Sequence, residues 1–315
     1  MQMESQNLTV VTEFILRGIT DRPELQVPLF GLFFMIYLIS LFGNLGMIIL
    51  TIVESRLQTP MYFFLRHLAI TDLGYSTAIG PKMLANFVVS KNTISFHLCA
   101  TQLAFFLLFI ACELFILSVM SYDRYVAICN PLLYNVIMSQ TVCWVLVAIP
   151  YLYSVFISLI VTINIFSSSF CGYNVIPHFY CDGLPLISLL CTNTDKIGLI
   201  ILILSAINLI SSLLIILGSY LLIFRAILRM NSAEGRRKAF STCGSHLTVV
   251  SVFYGTLIFM YVQPKTSHSF DTDKVASIFY TLVIPMLNPL IYSLRNKDVK
   301  YALRKTGKII QNNFS

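Results

Sequence analysis

Three groups of side chains in this sequence could do work beyond packing. They are the acid, base and ring at Asp123-Arg124-Tyr125, the carboxylates Asp72 and Glu113 inside apolar stretches, and eight cysteines. An acid beside an arginine at the end of a long hydrophobic segment is costly to keep from water, so the pair reads as a polar switch. An interfacial anchor would use the same Arg and Tyr, and the triplet alone does not separate these readings. Glu113 lies 11 residues before Arg124, about 16 Å along a helix and so near mid-membrane. Asp72, 12 residues past Pro60, has a similar depth. Two readings stand for this pair. Both acids could be protonated and hydrogen-bonded inside a bundle, or a cation, sodium, could lie between them, since close carboxylates do not both ionise unaided.

No other constellation suggests chemistry. His246 has no Cys or acid at metal-ligand spacing, and His178 and His268 are lone outer histidines. There is no Ser-His-Asp pattern, phosphate loop or dinucleotide loop, so no enzyme activity is expected.

The elements that must position these residues follow from composition. The chain has 315 residues, 57% hydrophobic and 11% charged, with mean hydropathy +0.80, against about 25% charged in soluble domains. It reads as an all-α integral membrane protein. Seven apolar segments reach the roughly 20 residues that cross a bilayer: Gln26–Ile52, Pro60–Gly80, Leu98–Tyr122, Thr141–Ile163, Ile197–Leu228, Ala239–Val262 and Val275–Leu294. The expectation is a seven-transmembrane helix bundle over 26–294, with an outer tail 1–25 and a cytoplasmic tail 295–315, in one domain spanning 1–315. Within the tail, Asp298–Ile310 alternates basic and apolar residues, as a short amphipathic C-terminal helix on the inner membrane surface would.

Net charge is +7, and 14 of the 21 Lys and Arg fall on the inner side, in the loops, the tail or the inner ends of spans, from Arg56 to Lys308. That bias puts the basic side in the cytoplasm and the N-terminus outside. The charges flank spans, which argues for the lipid bilayer and an acidic inner partner and against nucleic acid. The first apolar run, from Leu25, is too long for a cleaved signal and is expected to stay as a span. Asn7-Leu8-Thr9 is a glycosylation sequon on the outer tail. Cys99, Cys171, Cys181 and Cys191 fall outside, where disulfides persist. Four cysteines allow three pairings, and spacing does not choose among them.

Several longer blocks carry a resemblance. They are Phe14-Ile15-Leu16-Arg17-Gly18, Gly43-Asn44, Thr59 to Leu65, Met120 to Leu132, Lys238 to Leu247 and Pro285 to Asn296. With these the chain resembles an olfactory receptor of the rhodopsin-like class of G-protein-coupled receptors, nearly end to end. Ser121 stands where the family usually has Ala, and Gly244 where it often has Ser. Phe253-Tyr254-Gly255 replaces the Cys-Trp-x-Pro hinge of other rhodopsin-like receptors, so no proline kink is expected beside Tyr254, and Arg124 is the expected switch.

The resemblance implies disulfides Cys99–Cys181 and Cys171–Cys191, and a cation site at Asp72 and Glu113 with Ser118 or Asn288 beside it; no other cofactor is expected. It implies that Tyr292, after the helix-breaking Asn288-Pro289, swings to meet Arg124 and Tyr220. It also implies a small odorant as ligand and a heterotrimeric G protein of the olfactory stimulatory type as partner, with cyclic AMP rising. The protein would sit in the plasma membrane as a multi-pass receptor.

The outer half of the third segment carries no charge, so a small, neutral, hydrophobic molecule is expected rather than a cationic amine. By position against the family, the ligand contacts would be Phe106, Leu107, Ile110, Ala111, Phe179, Leu204, Ser205, Asn208, Tyr254, Leu257, Ile258, Tyr261, Ile278 and Thr281. Two other readings exist: a receptor of the same fold used outside smell, and an ion-conducting or transport protein with Asp72 and Glu113 on its path. The latter would favour paired broken helices or an internal repeat, and neither is evident.

Overall fold

The computed structural model describes residues 11–20, 22–89, 91–191, 194–262, 270–295, 298–302 and 305. Seven long helices make the bundle: α1 (Pro23–Val53), α2 (Pro60–Val88), α3 (Phe96–Cys129), α4 (Gln140–Phe166), α5 (Thr194–Leu228), α6 (Ala233–Val262) and α7 (270–295). α3 is central and packs on α2, α4, α5 and α6, while α1 lies against α2 and α7. The outer end is the one bearing the disulfides; the inner end carries Arg124.

The helices overrun the spans expected from hydropathy, because lipid thickness does not limit them. Local signals do. Pro23 and Pro60 open α1 and α2 at the first helical position, where a missing N–H costs nothing. Ser95 Oγ caps α3 by accepting from Leu98 N at 3.3 Å. α2 runs through Pro81 to Val88 instead of stopping at Gly80, so the proline does not end the helix. α3 continues to Cys129, which places the switch triplet inside the helix.

Five helices are long and apolar enough to cross a membrane by length and composition: α1, α3, α4, α5 and 274–293 of α7. α6 has a shorter apolar stretch, Cys243–Phe259, and α2 carries Arg66, His67, Asp72 and Lys82. Helix α2 tolerates these groups because much of it is enclosed, with Tyr62, Leu65, Leu68, Asp72, Tyr75 and Ile79 all buried. Helix α5 is the opposite case: Leu199, Ile203, Ile207, Ile210, Leu214, Leu217 and Leu221 are exposed, an apolar face that requires lipid.

Close contacts between helices depend on glycines, Gly74 and Gly43 among them. A Cβ on Gly74 would meet the Phe109 ring at 2.5 Å, and one on Gly43 would meet Pro289 Cγ at 2.9 Å. The second contact sits where α7 is broken. Pro289 has no N–H for the carbonyl of Pro285 four residues earlier; Asn44 Nδ2 on α1 donates to that carbonyl at 2.9 Å instead. One turn above, 279–283 winds as a π-helix, a feature common at functional sites.

Both tails add detail to the expected architecture. The outer tail is not free: Glu13–Leu16 (β1) is the centre of a three-stranded sheet, antiparallel to Thr93–Ser95 (β2) and parallel to Val175–Ile176 (β3). Its alternation shows in burial and not in residue type: Phe14 and Leu16 are buried and Ile15 is exposed. Phe14 packs on Phe96, Phe166 and Phe170. An all-α fold therefore carries a small β cap. At the other end, residues 298–302 are helical, with Val299 and Ala302 buried three apart as an amphipathic helix requires. Lys305 Nζ lies 2.9 Å from Glu54 Oε2. That lysine holds the Glu54 carboxyl below its usual range. The rest of the expected segment, to Ile310, lies outside the described residues, as do Asn7 and its sequon.

Candidate functional site: a polar column below an aromatic cap

The inner switch is built on the last turns of α3. Asp123 is buried, and its Oδ1 accepts from the Tyr134 hydroxyl at 2.7 Å. Among the described residues no Asp123–Arg124 ion pair lies within 4.0 Å, so the acid is held by the second inner loop rather than spent on its neighbour. Arg124 is 8% exposed, and its charge acts on Tyr220, Cys243, His246 and Tyr292 from α5, α6 and α7. Tyr125 packs with Tyr220 and Ile128 on Ile223, Ile227, Ala239 and Cys243, closing the inner ends of α3, α5 and α6 together.

His246 makes that closure specific. Its Nε2 lies 3.1 Å from the Leu117 carbonyl, and its Nδ1 lies 2.7 Å from the Tyr220 hydroxyl. A carbonyl only accepts, so Nε2–H donates; in the neutral ring Nδ1 then accepts from Tyr220 O–H. One side chain on α6 thus joins α3 and α5. In sequence it reads as a packing histidine, and only the cross-helix distances reveal the clamp. Higher up, the Tyr254 hydroxyl donates to Leu114 O at 3.2 Å, a second tie from α6 to α3. Tyr292 is buried, with its hydroxyl unpartnered among the described residues.

At mid-bundle Asp72, Glu113 and Asn288 come together, from α2, α3 and α7. Asn288 Nδ2 is 3.0 Å from both Asp72 oxygens and 3.4 Å from Glu113 Oε1, and Tyr75 O–H donates to Asp72 at 3.1 Å. Glu113 Oε2 is buried without a hydrogen-bond partner among the described residues. Ser118 is not at this centre; its hydroxyl donates to Leu114 O at 2.8 Å and lies 3.1 Å from Ser212 O.

Of the expected ligand contacts, Phe106, Leu107, Ile110, Tyr254, Leu257 and Ile278 belong to one apolar cluster, which also holds Phe179, Tyr180 and Tyr280. Ala111 and Thr281 are buried beside them, Thr281 Oγ1 donating to Ser277 O. Leu204 packs under the β cap instead, and Ser205 is partly buried on the same helix. Asn208 Oδ1 is occupied by the Tyr153 hydroxyl at 2.6 Å. Ile258 is 38% exposed and turns outward. Phe179 lines a cleft with Gly18, Ile19, Met83 and Phe87, on the α2 side. The side chain of Tyr261 is outside the described residues.

The cap closing this cluster was not visible in sequence. Phe106 lies 5.3 Å from the Tyr180 ring and 6.1 Å from the Tyr280 ring. The two tyrosine hydroxyls are 2.8 Å apart, Tyr280 reaches Ser277 at 2.9 Å, and His178 Nε2 reaches Ser277 at 3.2 Å. The second outer loop is thus fastened to α7 by polar groups and to α3 by Cys99–Cys181, with Cα atoms 5.5 Å apart. Gln102 Oε1 accepts from Cys181 N at 2.9 Å. Cys171–Cys191 closes the loop on itself.

Burial, then the nearby charge of Lys274, pushes the His178 pKa down to about 3. The imidazole is therefore neutral in the folded loop. An unfolded histidine titrates near 6.5, so the folded state gains stability that is complete above that pH and lost as pH falls toward 3. At about 1.4 kcal/mol per unit, acidification from pH 7 to 5 should cost about 2 kcal/mol. The thermal midpoint of the purified protein should accordingly drop further over that range than the midpoint of His178→Gln. Equal drops would remove His178 as the cause.

A seven-helix bundle with a buried arginine switch at one end and a disulfide-fastened cap at the other defines a G-protein-coupled receptor. The sequence profile described as "Olfactory receptor" matches residues 33–308, and the chain belongs to the olfactory receptor family. It is 78% identical to human olfactory receptor 8K3 over 99% of this chain and all of that protein. It is 67% identical to human olfactory receptor 8K1, over 95% and 94% of the two chains, and 67% identical to human olfactory receptor 8K5, over 96% and 99%.

Proposed function

We propose that this receptor sits in the plasma membrane with its N-terminus outside, binds small hydrophobic odorants in the outer half of the bundle, and raises cyclic AMP through the olfactory stimulatory G protein. One observation carries the reading: an uncharged aromatic cluster around Phe106, Tyr180 and Tyr280 stands directly above a buried polar column that ends at Arg124. A ligand wedged under the cap changes the position of α6 relative to α3 through Tyr254 and His246. Opening the inner end frees Arg124 and lets Tyr292 turn toward Tyr220. The basic inner ends of α5 and α6 and the turn between them, with Arg225, Arg229, Arg236, Arg237 and Lys238, add contacts to an acidic face of the G protein. An odorant drives this only by binding the open state more tightly than the closed one. A cyclic AMP reporter screen over a chemically diverse odorant panel tests the reading; charged hydrophilic compounds as the sole agonists would sink it.

Asp72 and Glu113 fit a sodium ion. Two buried carboxylates share one amide, and among the described residues Glu113 Oε2 lacks a partner and no cationic side chain pairs with either acid. A monovalent cation would supply the missing positive charge and hold α2, α3 and α7 in the closed arrangement. Sodium at 100-fold over its Kd should then stabilise the purified protein by about 2.7 kcal/mol relative to choline. Asp72→Asn should lose that gain. Equal midpoints in sodium and choline for the unaltered protein would leave a shared proton as the account of the pair.

A further inference from the structure

At the inner end, on the side away from the G-protein-facing helices, α2 and α4 stand apart and leave a cavity of about 470 Å³, within the size range of small-molecule sites. Its floor is Ile52, Leu57, Pro60 and Phe63; Met138, Cys143 and Trp144 form the far wall. The polar lining comprises the Gln58, Asn135 and Gln140 amides, Thr59 and one charged group, Arg66. No carboxylate lines the cavity. Arg66 Nε donates to Thr51 Oγ1 at 3.2 Å and Nη2 donates to the Thr51 carbonyl. A guanidinium has five N–H donors, so most of its fork remains for a ligand, and among the described residues it has no acidic partner.

We infer that this cavity binds the head group of an acidic phospholipid from the cytoplasmic leaflet. The charge is complementary: one uncompensated guanidinium ringed by amide donors suits a phosphate with a net negative head, and that leaflet is rich in anionic lipid. From Trp144 in the cavity wall, α4 continues with an apolar strip, Val145, Ile149, Leu152 and Phe156, each exposed and spaced three or four apart. That strip gives the acyl chain a track. The Phe63 ring stands edge-on to Trp144 at 4.8 Å, at the mouth where head and chain meet.

Trp144 is the only tryptophan in the chain, so its fluorescence reports this site alone. In vesicles of zwitterionic lipid holding the receptor as the sole protein, a minor fraction of phosphatidylglycerol brominated on its chains should quench Trp144 about five-fold more than brominated phosphatidylcholine at the same fraction, as one basic group near the surface allows. Arg66→Gln should equalise the two lipids, and Arg66→Lys should keep the preference. Inorganic phosphate added in place of the acidic lipid should leave the emission unchanged. Equal quenching by both lipids in the unaltered protein overturns the inference even if neither variant folds. Selectivity that survives Arg66→Gln, or a response to phosphate alone, also overturns it.

Discussion

Replacing Arg124 by alanine is expected to abolish odorant-evoked cyclic AMP while leaving the amount of receptor at the cell surface unchanged. The guanidinium is almost wholly enclosed, with no carboxylate pairing it directly among the described residues. A buried charge left so sparsely compensated is expensive, and a chain selected only to fold would hold an apolar residue there. Its neighbours Tyr220, Cys243, His246 and Tyr292 come from the three helices that must separate for the inner end to open. Loss of the charge should therefore leave the closed bundle intact, or slightly more stable, and remove what the opened bundle offers its partner. Cyclic AMP measured against surface immunostaining checks both halves. Full signalling by Arg124→Ala at normal surface density would end the role assigned to this residue.

The second large effect has the opposite sign. His246→Ala should raise basal cyclic AMP about ten-fold without odorant. The substitution removes both bonds of the clamp and leaves the Leu117 carbonyl and the Tyr220 hydroxyl to find new partners. An orphaned buried polar group costs about 1–3 kcal/mol, and about 1.4 kcal/mol shifts a two-state balance ten-fold. The closed arrangement bears that penalty more than the open one, where Tyr220 meets water and Arg124. Combining both substitutions should return basal cyclic AMP to background, because an open bundle without Arg124 has nothing to present. Basal signal that persists in the double variant would show that coupling bypasses the arginine.

Most of the frame was legible before any coordinates, because apolar runs of about 20 residues have few other uses. The seven spans, the disulfide-bearing end and the meeting of Asp72, Glu113 and Asn288 follow from sequence and family resemblance. The rest was hidden for identifiable reasons. Strands of two to four residues are too short to show a period, so β2 and β3 leave no trace, and β1 looks like any outer tail. The π turn at 279–283 adds one residue to a helical repeat, which hydropathy does not register. The Tyr180–Tyr280 and His178–Ser277 contacts join positions about a hundred residues apart, and nothing local marks either partner. The ligand contacts carried over by family position fared unevenly in placement. An apolar residue on a membrane helix turns to a cavity, a neighbour or lipid without changing type, as Ile258 and Leu204 illustrate.

The small sheet over the outer end has a consequence for how the molecule is made. Its middle strand, Glu13–Leu16, emerges from the ribosome before α1, whereas β2 arrives only after α2 and β3 only after α4. The leading segment must therefore wait for β2 until two helices have been made, and for its complete sheet until four have. Quality control meets its exposed Phe14 and Leu16 during that delay, so small defects in early spans should register as retention within the secretory pathway rather than as impaired sensing.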